Sequence, residues 1–267
     1  MQDHSCHSLG RAVTLSDVAG NGTASCEEKN GRLTHCISKK VGKAIFDYKM
    51  IDDGDRIIVA VSGGKDSLTL LNILRYRLKL SPIKYSVIAV HADLGYKCVH
   101  PKILEAYFTT HGYEYKIASV DILEGGCKSR KDIRCFWCSW NKRKAVFEAA
   151  KELCSTKVAF GHHKDDIAET ILMNMFFNGE ISGMNPKQAI FNGALTLIRP
   201  LAYVEESEII TFAKTQDYPA HTCSCPNHAT TKRNEAAAVI QRIEKVCPEV
   251  RTNIVRSLKR VKKDYIL

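Results

Sequence analysis

A chain of 267 residues that is 45% hydrophobic and 25% charged can bury a full core, which excludes a low-complexity chain and points to one α/β domain with extensions. Lys and Arg number 39 against 29 Asp and Glu, a formal charge of +10 that favours a polyanionic partner, nucleic acid first, because basic surface gains affinity by displacing counterions from phosphates. No run of about 18 apolar residues occurs and Met1 to Gly20 lacks the apolar centre of a secretory signal, so a membrane is excluded as partner and a cytoplasmic location is expected, where 11 unevenly spaced cysteines suit metal or redox chemistry better than a disulfide framework.

Residues 1–30 are rich in Ser, Gly, Asn, Asp and His without a period and read as a flexible leader. From Leu33 to Met50, the residues Ile37, Val41, Ala44, Ile45 and Tyr48 recur at three-to-four spacing, which predicts an amphipathic N-terminal helix within residues 31–54, running into the turn Asp52-Asp53-Gly54-Asp55. The core then covers residues 55–204. Its strand candidates are Ile57 to Val61, Tyr85 to His91, Glu114 to Val120, Lys157 to Gly161 and Thr196 to Arg199, and helical patterns fill the gaps at Leu68 to Leu80, Pro101 to Gly112, Trp140 to Leu153 and Asp166 to Asn178. Repeated β-α-β units of this kind predict a mostly parallel sheet with helices on both faces and ligand loops at the carboxyl ends of its strands. Residues 205–267 read as appended helices. There Val250, Ile254, Leu258 and Val261 predict one further helix with a buried stripe, whose basic face carries Arg256, Lys259, Arg260, Lys262 and Lys263 and suits either solvent or RNA.

Three motifs carry chemistry. Ser62-Gly63-Gly64-Lys65-Asp66-Ser67 lies between the first strand and its helix, so two glycines let the backbone approach an anion, the serines add hydroxyls and the helix directs free N–H groups at it. A pyrophosphate fits such a cradle; an ordinary serine-glycine turn is the competing reading. Cys135-Phe136-Trp137-Cys138 opens a helix, where residues three apart share a face and the helix dipole favours thiolates. With Cys223-Ser224-Cys225 much later, after Pro219, it describes a metal or cluster site, and without them a redox dithiol. Gly161-His162-His163-Lys164-Asp165-Asp166, with Glu169, Thr170 and Asn174 beyond it, follows the fourth strand. One of the two aspartates caps the helix, the other can hold magnesium on a leaving pyrophosphate, and either histidine can contact a nucleotide.

The loop resembles the S-G-G-x-D-S signature of the PP-loop ATP pyrophosphatases, which cleave ATP between its α and β phosphates. In order, S-G-G-K-D-S at Ser62, C-F-W-C at Cys135, G-H-H-K-D-D-I-A-E-T at Gly161, N-M-F-F-N-G at Asn174, I-R-P-L-A-Y at Ile198 and the cysteine after Pro219 resemble the tRNA 2-thiocytidine biosynthesis family over roughly residues 35–230. That resemblance implies a parallel five-stranded sheet, ATP, Mg2+ and a [4Fe-4S] cluster held by Cys135, Cys138 and Cys223. It also implies tRNA as substrate, a sulfur donor that is a cysteine desulfurase or free sulfide, and a homodimer. It further implies that the nucleotide is held by Ser62, Gly63, Gly64, Lys65, Asp66, Ser67, His91, Gly161, His162 and Asp165, and that Asp66, Lys142 and Asp166 are the catalytic residues, with Arg143 a further phosphate stabiliser. The expected reaction adenylates the C2 oxygen of a pyrimidine, cytidine before uridine, and replaces it with sulfur. Two features depart from the pattern: the late cysteines stand as C-x-C rather than C-x-x-C, and Val90-His91-Ala92-Asp93 is unusual at the second strand end. Two rivals remain: a PP-loop ligase or sulfurtransferase acting on a small molecule, with structural zinc on the cysteines, and a catalytically silent RNA-binding module.

Overall fold

The computed structural model describes residues 24–95, 101–120, 135–219 and 232–265. Helix α1 (Ala24–Asp47) leads into strand β1 (Asp55–Ala60), and then α2 (Lys65–Arg77), β2 (Tyr85–Asp93), α3 (Pro101–Thr110), β3 (Glu114–Ser119), α4 (Cys135–Glu152), β4 (Lys157–Ala159) and α5 (Lys164–Asn178) alternate as the periodicities require. The short strands β5 (Lys187–Ile190) and β6 (Leu195–Ile198) follow, then helices α6 (Glu206–Ala213), α7 (Lys232–Glu244) and α8 (Val250–Ser257). Among the described residues no helix is long and apolar enough to cross a membrane.

The sheet has six strands, not five, in the order β3-β2-β1-β4-β6-β5, all parallel except β5, which runs antiparallel to β6. The additional strand is a four-residue edge with its central pair exposed, too short and too solvated to show a period. Its signal lay in the turn instead. Asn192 and Gly193 follow Phe191 into β6, and all three take positive φ (55°, 89° and 52°), the backbone hand that joins hairpin strands. Alternate strand residues face opposite layers. Ile57 and Val59 pack with Ile37, Val41, Leu71, Leu74 and Phe108 beneath α1, α2 and α3, while Ile58, Val90 and Val158 pack with Val146, Ala149 and Ala150 of α4.

Two ends differ from expectation. Helix α1 begins at Ala24, inside the segment read as leader, because its polar first turns carry no apolar stripe to mark them. Helix α8 stops at Ser257: Val250 is buried, and Ile254 and Leu258 pack on Ile167, Ile171 and Ala202, but Val261 is exposed, so the basic run continues past the helix.

Strands β1 to β3 are laid down outward on one side, and β4 then returns to pair with β1, Ile57 beside Lys157 and Val59 beside Ala159. The sheet therefore reverses direction between β1 and β4, and the loops leaving their carboxyl ends diverge around a crevice, the place where open α/β sheets bind ligands. The approach is close. A Cβ built on Gly161 would lie 2.9 Å from both Asp66 C and Ser67 N, backbone atoms that cannot swing aside. At the opposite edge the buried Lys157 ammonium ties the two strands, at 2.6 Å from Asp52 and 2.5 Å from Asp55.

Gly161→Ala is accordingly expected to lower the urea midpoint of unfolding, with an overpacking cost of about 1–3 kcal/mol, and Gly161→Val to cost more. A midpoint unchanged in both variants would show that the two loops are free to separate.

Candidate active site

The loop after β1 holds its own shape. Gly63 has φ +90°, which favours glycine, and the Ser67 hydroxyl donates to Gly64 O at 2.9 Å while accepting from Ser62 N–H at 3.2 Å. Ser62 Oγ accepts from Gly64 N–H at 3.3 Å and lies 3.2 Å from Ser67 Oγ. The serine hydroxyls therefore brace the loop, and the backbone N–H groups at the start of α2, where Gly64 caps the helix without a side chain, are suited to receive an anion. Lys65 Nζ sits 3.0 Å from both Asp66 Oδ1 and Glu206 Oε1. Burial works against its charge, but Glu206 and Asp66 outweigh it and raise the pKa.

Asp66 Oδ1 is buried and has no hydrogen bond, since its Lys65 contact is misaligned. A carboxylate oxygen left in that condition beside a phosphate cradle fits a hard divalent cation such as magnesium, with Asp166 across His163 as a second oxygen donor.

From the other side, His163 caps α5 and its backbone N–H donates to Asp166 Oδ2 at 3.0 Å. Its buried ring stands among three carboxylates, Nδ1 at 3.5 Å from Asp165 Oδ2 and Nε2 at 3.4 Å from Asp166 Oδ2 and 3.9 Å from Asp66 Oδ1. Burial disfavours its charge, yet these acids prevail and raise its pKa. Its neighbour goes the other way. His162 is lowered to about 4, by burial first and then by Arg199, Arg233 and Arg143, against the pull of Asp166. Two adjacent imidazoles are thus shifted in opposite directions by the charges around them.

Of the other residues singled out by sequence, His91 is buried, with Nδ1 2.8 Å from Val61 O, and ties the end of β2 to that of β1. Asp165 is taken up by the C-terminal helices: it accepts from Glu206 N–H at 2.8 Å and lies 2.5 Å from Arg251 Nε. Asn174 donates to Ser182 Oγ and O, in the loop beyond α5 and not in the crevice. Lys142 is exposed on α4. Cys135 is the first residue of α4, and Cys138 packs with Leu94 and Val120, the residues that follow β2 and β3, so the helix start lies on the same carboxyl edge as the loop. Thiolates at a helix N-terminus are suitable donors for a cluster or for zinc. Cys223 and Cys225 lie outside the described residues.

Sequence reading missed two residues. Arg233 of α7 donates to Asp166 Oδ1 at 2.8 Å and Thr170 Oγ1 at 3.3 Å, with Glu169 Oε2 3.9 Å away. Arg199, just after β6, donates from Nε to His162 Nδ1 at 3.3 Å. The position of Arg199 at a strand's carboxyl end was a readable signal; Arg233, in a run of polar helix residues, had none.

Comparison with known proteins matches residues 33–235 to the PP-loop domain. The tRNA-cytidine(32) 2-sulfurtransferase of Geobacter sulfurreducens is 39% identical over 235 residues, 86% of this chain and 91% of that protein. The protein of the same name from Aliivibrio fischeri is 41% identical over 221 residues, 81% of this chain and 72% of that one. Among solved structures, the U34-tRNA thiolase NcsA from Methanococcus maripaludis, with its [4Fe-4S] cluster, superimposes with a TM-score of 0.71 at 23% identity over 89% of this chain and 81% of that chain.

Glu169 carries a pH signature. Burial, against Arg233, raises its pKa from 4.5 to about 7, so the folded state holds its proton more tightly than the unfolded chain and the contribution to stability falls as pH rises from 4.5 to about 7. His163, raised from 6.5, acts in the same sense, contributing fully below 6.5 and losing that contribution as pH rises through its folded value. His162, lowered from 6.5 to about 4, opposes them, costing stability as pH falls through that window. Comparing Glu169→Gln with the parent cancels the histidines: the variant's melting temperature is expected to gain on the parent's between about pH 5 and about pH 7 and to level off above. A constant difference across that range would mean that Glu169 does not titrate there.

Proposed function

The chain belongs to the PP-loop domain family, and we propose that it is an ATP-dependent tRNA sulfurtransferase that replaces the C2 oxygen of cytidine 32 with sulfur. The relatives that support the nucleoside and its position match 81–86% of the chain. The observation that carries the chemistry is the shared carboxyl edge: the anion loop after β1, the acids after β4 and the cysteine-bearing start of α4 all open there.

The C2 carbonyl oxygen is a poor leaving group. It attacks the α-phosphorus of ATP, and pyrophosphate departs into the N–H groups at the start of α2. Lys65 adds positive charge beside that cradle, and Asp66 with Asp166 are the residues that would hold magnesium on the departing phosphates. A sulfide then adds at C2, the bond from C2 to the adenylated oxygen breaks and AMP leaves, so that C=S stands where C=O stood. His162, kept neutral by burial and the arginines around it, hydrogen-bonds in this site without adding charge, and Lys142 is an exposed cation one turn beyond Cys138 on α4. Cys135, Cys138 and Cys223 would hold a [4Fe-4S] cluster, which with three protein thiolates keeps one iron open to a sulfide. The sulfide comes from a cysteine desulfurase or from free sulfide, the substrate places the reaction in the cytoplasm, and the active species is a homodimer.

Purified without oxygen, the protein is expected to show a broad brown absorption and to thiolate an unmodified tRNA transcript when given ATP, Mg2+ and sulfide, scored by nucleoside mass. Cys135→Ala, Cys138→Ala and Cys223→Ala should each lose both, and Cys225→Ala neither. A colourless preparation with stoichiometric zinc and no thiolated base would favour the small-molecule alternative instead.

Asp66→Asn is expected to keep its iron content but to lose AMP release on tRNA by about 100-fold or more, the scale of one electrostatic contact to a transition state. Unimpaired AMP release in that variant would remove Asp66 from the chemistry.

A further inference from the structure

Arginines from three separate elements act on His162: Arg199 by a hydrogen bond, and Arg233 and Arg143 through their charge. Arg199 is buried, at 8% exposure, and among the described residues its guanidinium meets neutral acceptors alone: His162 Nδ1 at 3.3 Å, and Asn185 O. The carboxylate that acts on it, Asp166, is engaged at 2.8 Å by Arg233. Arg143 lies one helical turn before Phe147, and Phe147 packs edge-on against Phe160 at 6.5 Å, while Phe160 stacks with His162 at 5.7 Å. Residues four apart share a helix face, so Arg143 lies on the face of α4 that carries Phe147. Its charge adds to that of Arg199, and the two repel.

A buried guanidinium whose direct partners are neutral, and whose nearest acting carboxylate is already engaged, gains from an anion. The planar fork of Arg suits phosphate, and His162, whose Nδ1 accepts from Arg199, presents Nε2–H as one more donor. The pyrophosphate cradle does not need these groups. It opens on the β1 side of the crevice, and the contacts from Asp66 through His163 to Asp166 intervene before Arg233 is reached. Arg143 is exposed, where a polymer passing over the carboxyl edge can meet it.

We infer that Arg199 and Arg143 form a second phosphate site beside His162, which holds a backbone phosphodiester of the RNA next to the nucleotide being modified. The inference rests on the reading of the chain as a tRNA sulfurtransferase. It assigns a fixed anchor to the strand whose base must leave its stack to reach C2 chemistry.

The test measures binding by the full chain, as purified, of an unmodified tRNA transcript and, separately, of a non-hydrolysable ATP analogue. Arg199→Gln and Arg143→Gln are each expected to weaken transcript binding about tenfold at about 100 mM salt and to lower the slope of log affinity against log salt by about one, the mark of a single lost phosphate contact. Analogue affinity should stay within about twofold, since the cradle is separate. Transcript affinity unchanged in both variants overturns the inference, and so does a loss confined to the analogue, which would give the arginines to the nucleotide. Because Arg199 is buried, Arg143→Gln, on the exposed turn of α4, decides the matter if Arg199→Gln does not fold. Failure of the parent protein itself to bind the transcript would instead sink the underlying functional reading.

Discussion

The parallel pairing of β4 with β1 is the constraint on which the site depends. Strands β2 and β3 are added on one side of β1, and only the return of β4 to its other side turns two loops, about a hundred residues apart in the chain, into the walls of one crevice. The contact leaves no room for a methyl group at Gly161, so the anion loop and the acid-bearing start of α5 are packed directly against each other. Lys157 closes the same pair of strands at the far edge with two carboxylates. Short crossovers of fixed hand do the rest, placing the N-termini of α2, α4 and α5 on one edge and their positive dipole ends toward it.

Within that crevice charge is sorted by position. Toward β1, Asp66, Asp165 and Asp166 stand around His163 and raise its pKa; toward β6, Arg199 donates to His162, and its charge with those of Arg233 and Arg143 adds to burial in lowering the pKa of that ring. Two histidines adjacent in sequence are separated by the direction in which successive side chains leave an extended backbone, so each samples a different field. The result is an edge that offers carboxylate oxygens for a metal and N–H groups for pyrophosphate on one side, and guanidinium groups for a further anion on the other. A single reaction that joins ATP to a polyanion needs both kinds of surface within one cavity, which fits the family and the relatives named above.

Much of this was legible before folding. The S-G-G-K-D-S loop, the C-F-W-C pair and the G-H-H-K-D-D segment announce their chemistry because each is local: glycines beside a strand end, thiols three apart on a helix, acids at a helix start. Five of the six strands and the helices between them follow from hydrophobic period, since both faces of the sheet are covered and every core position must be apolar. The edge strand β5, exposed and four residues long, left no such trace, and the extent of α8 was overestimated because apolar spacing continued past the point where there was anything to pack against.

Roles that depend on who meets whom were not written in any local pattern. Asp165 and Asp166 are equivalent as sequence neighbours, yet the first is tied to Arg251 and the start of α6 while the second is shared between the His163 N–H and Arg233. Ser67 reads as a phosphate donor, and in the fold its hydroxyl donates to Gly64 O within the loop. Arg233 looks like one more surface cation and holds the acids that oppose the loop. Composition, period and motif determined what kind of sheet the chain builds and which groups it brings to ligand chemistry, because those depend on residues near in sequence. Which of those groups are free to act was decided only in three dimensions, because a charge or a hydroxyl is available to a ligand only when no other part of the chain has already taken it up.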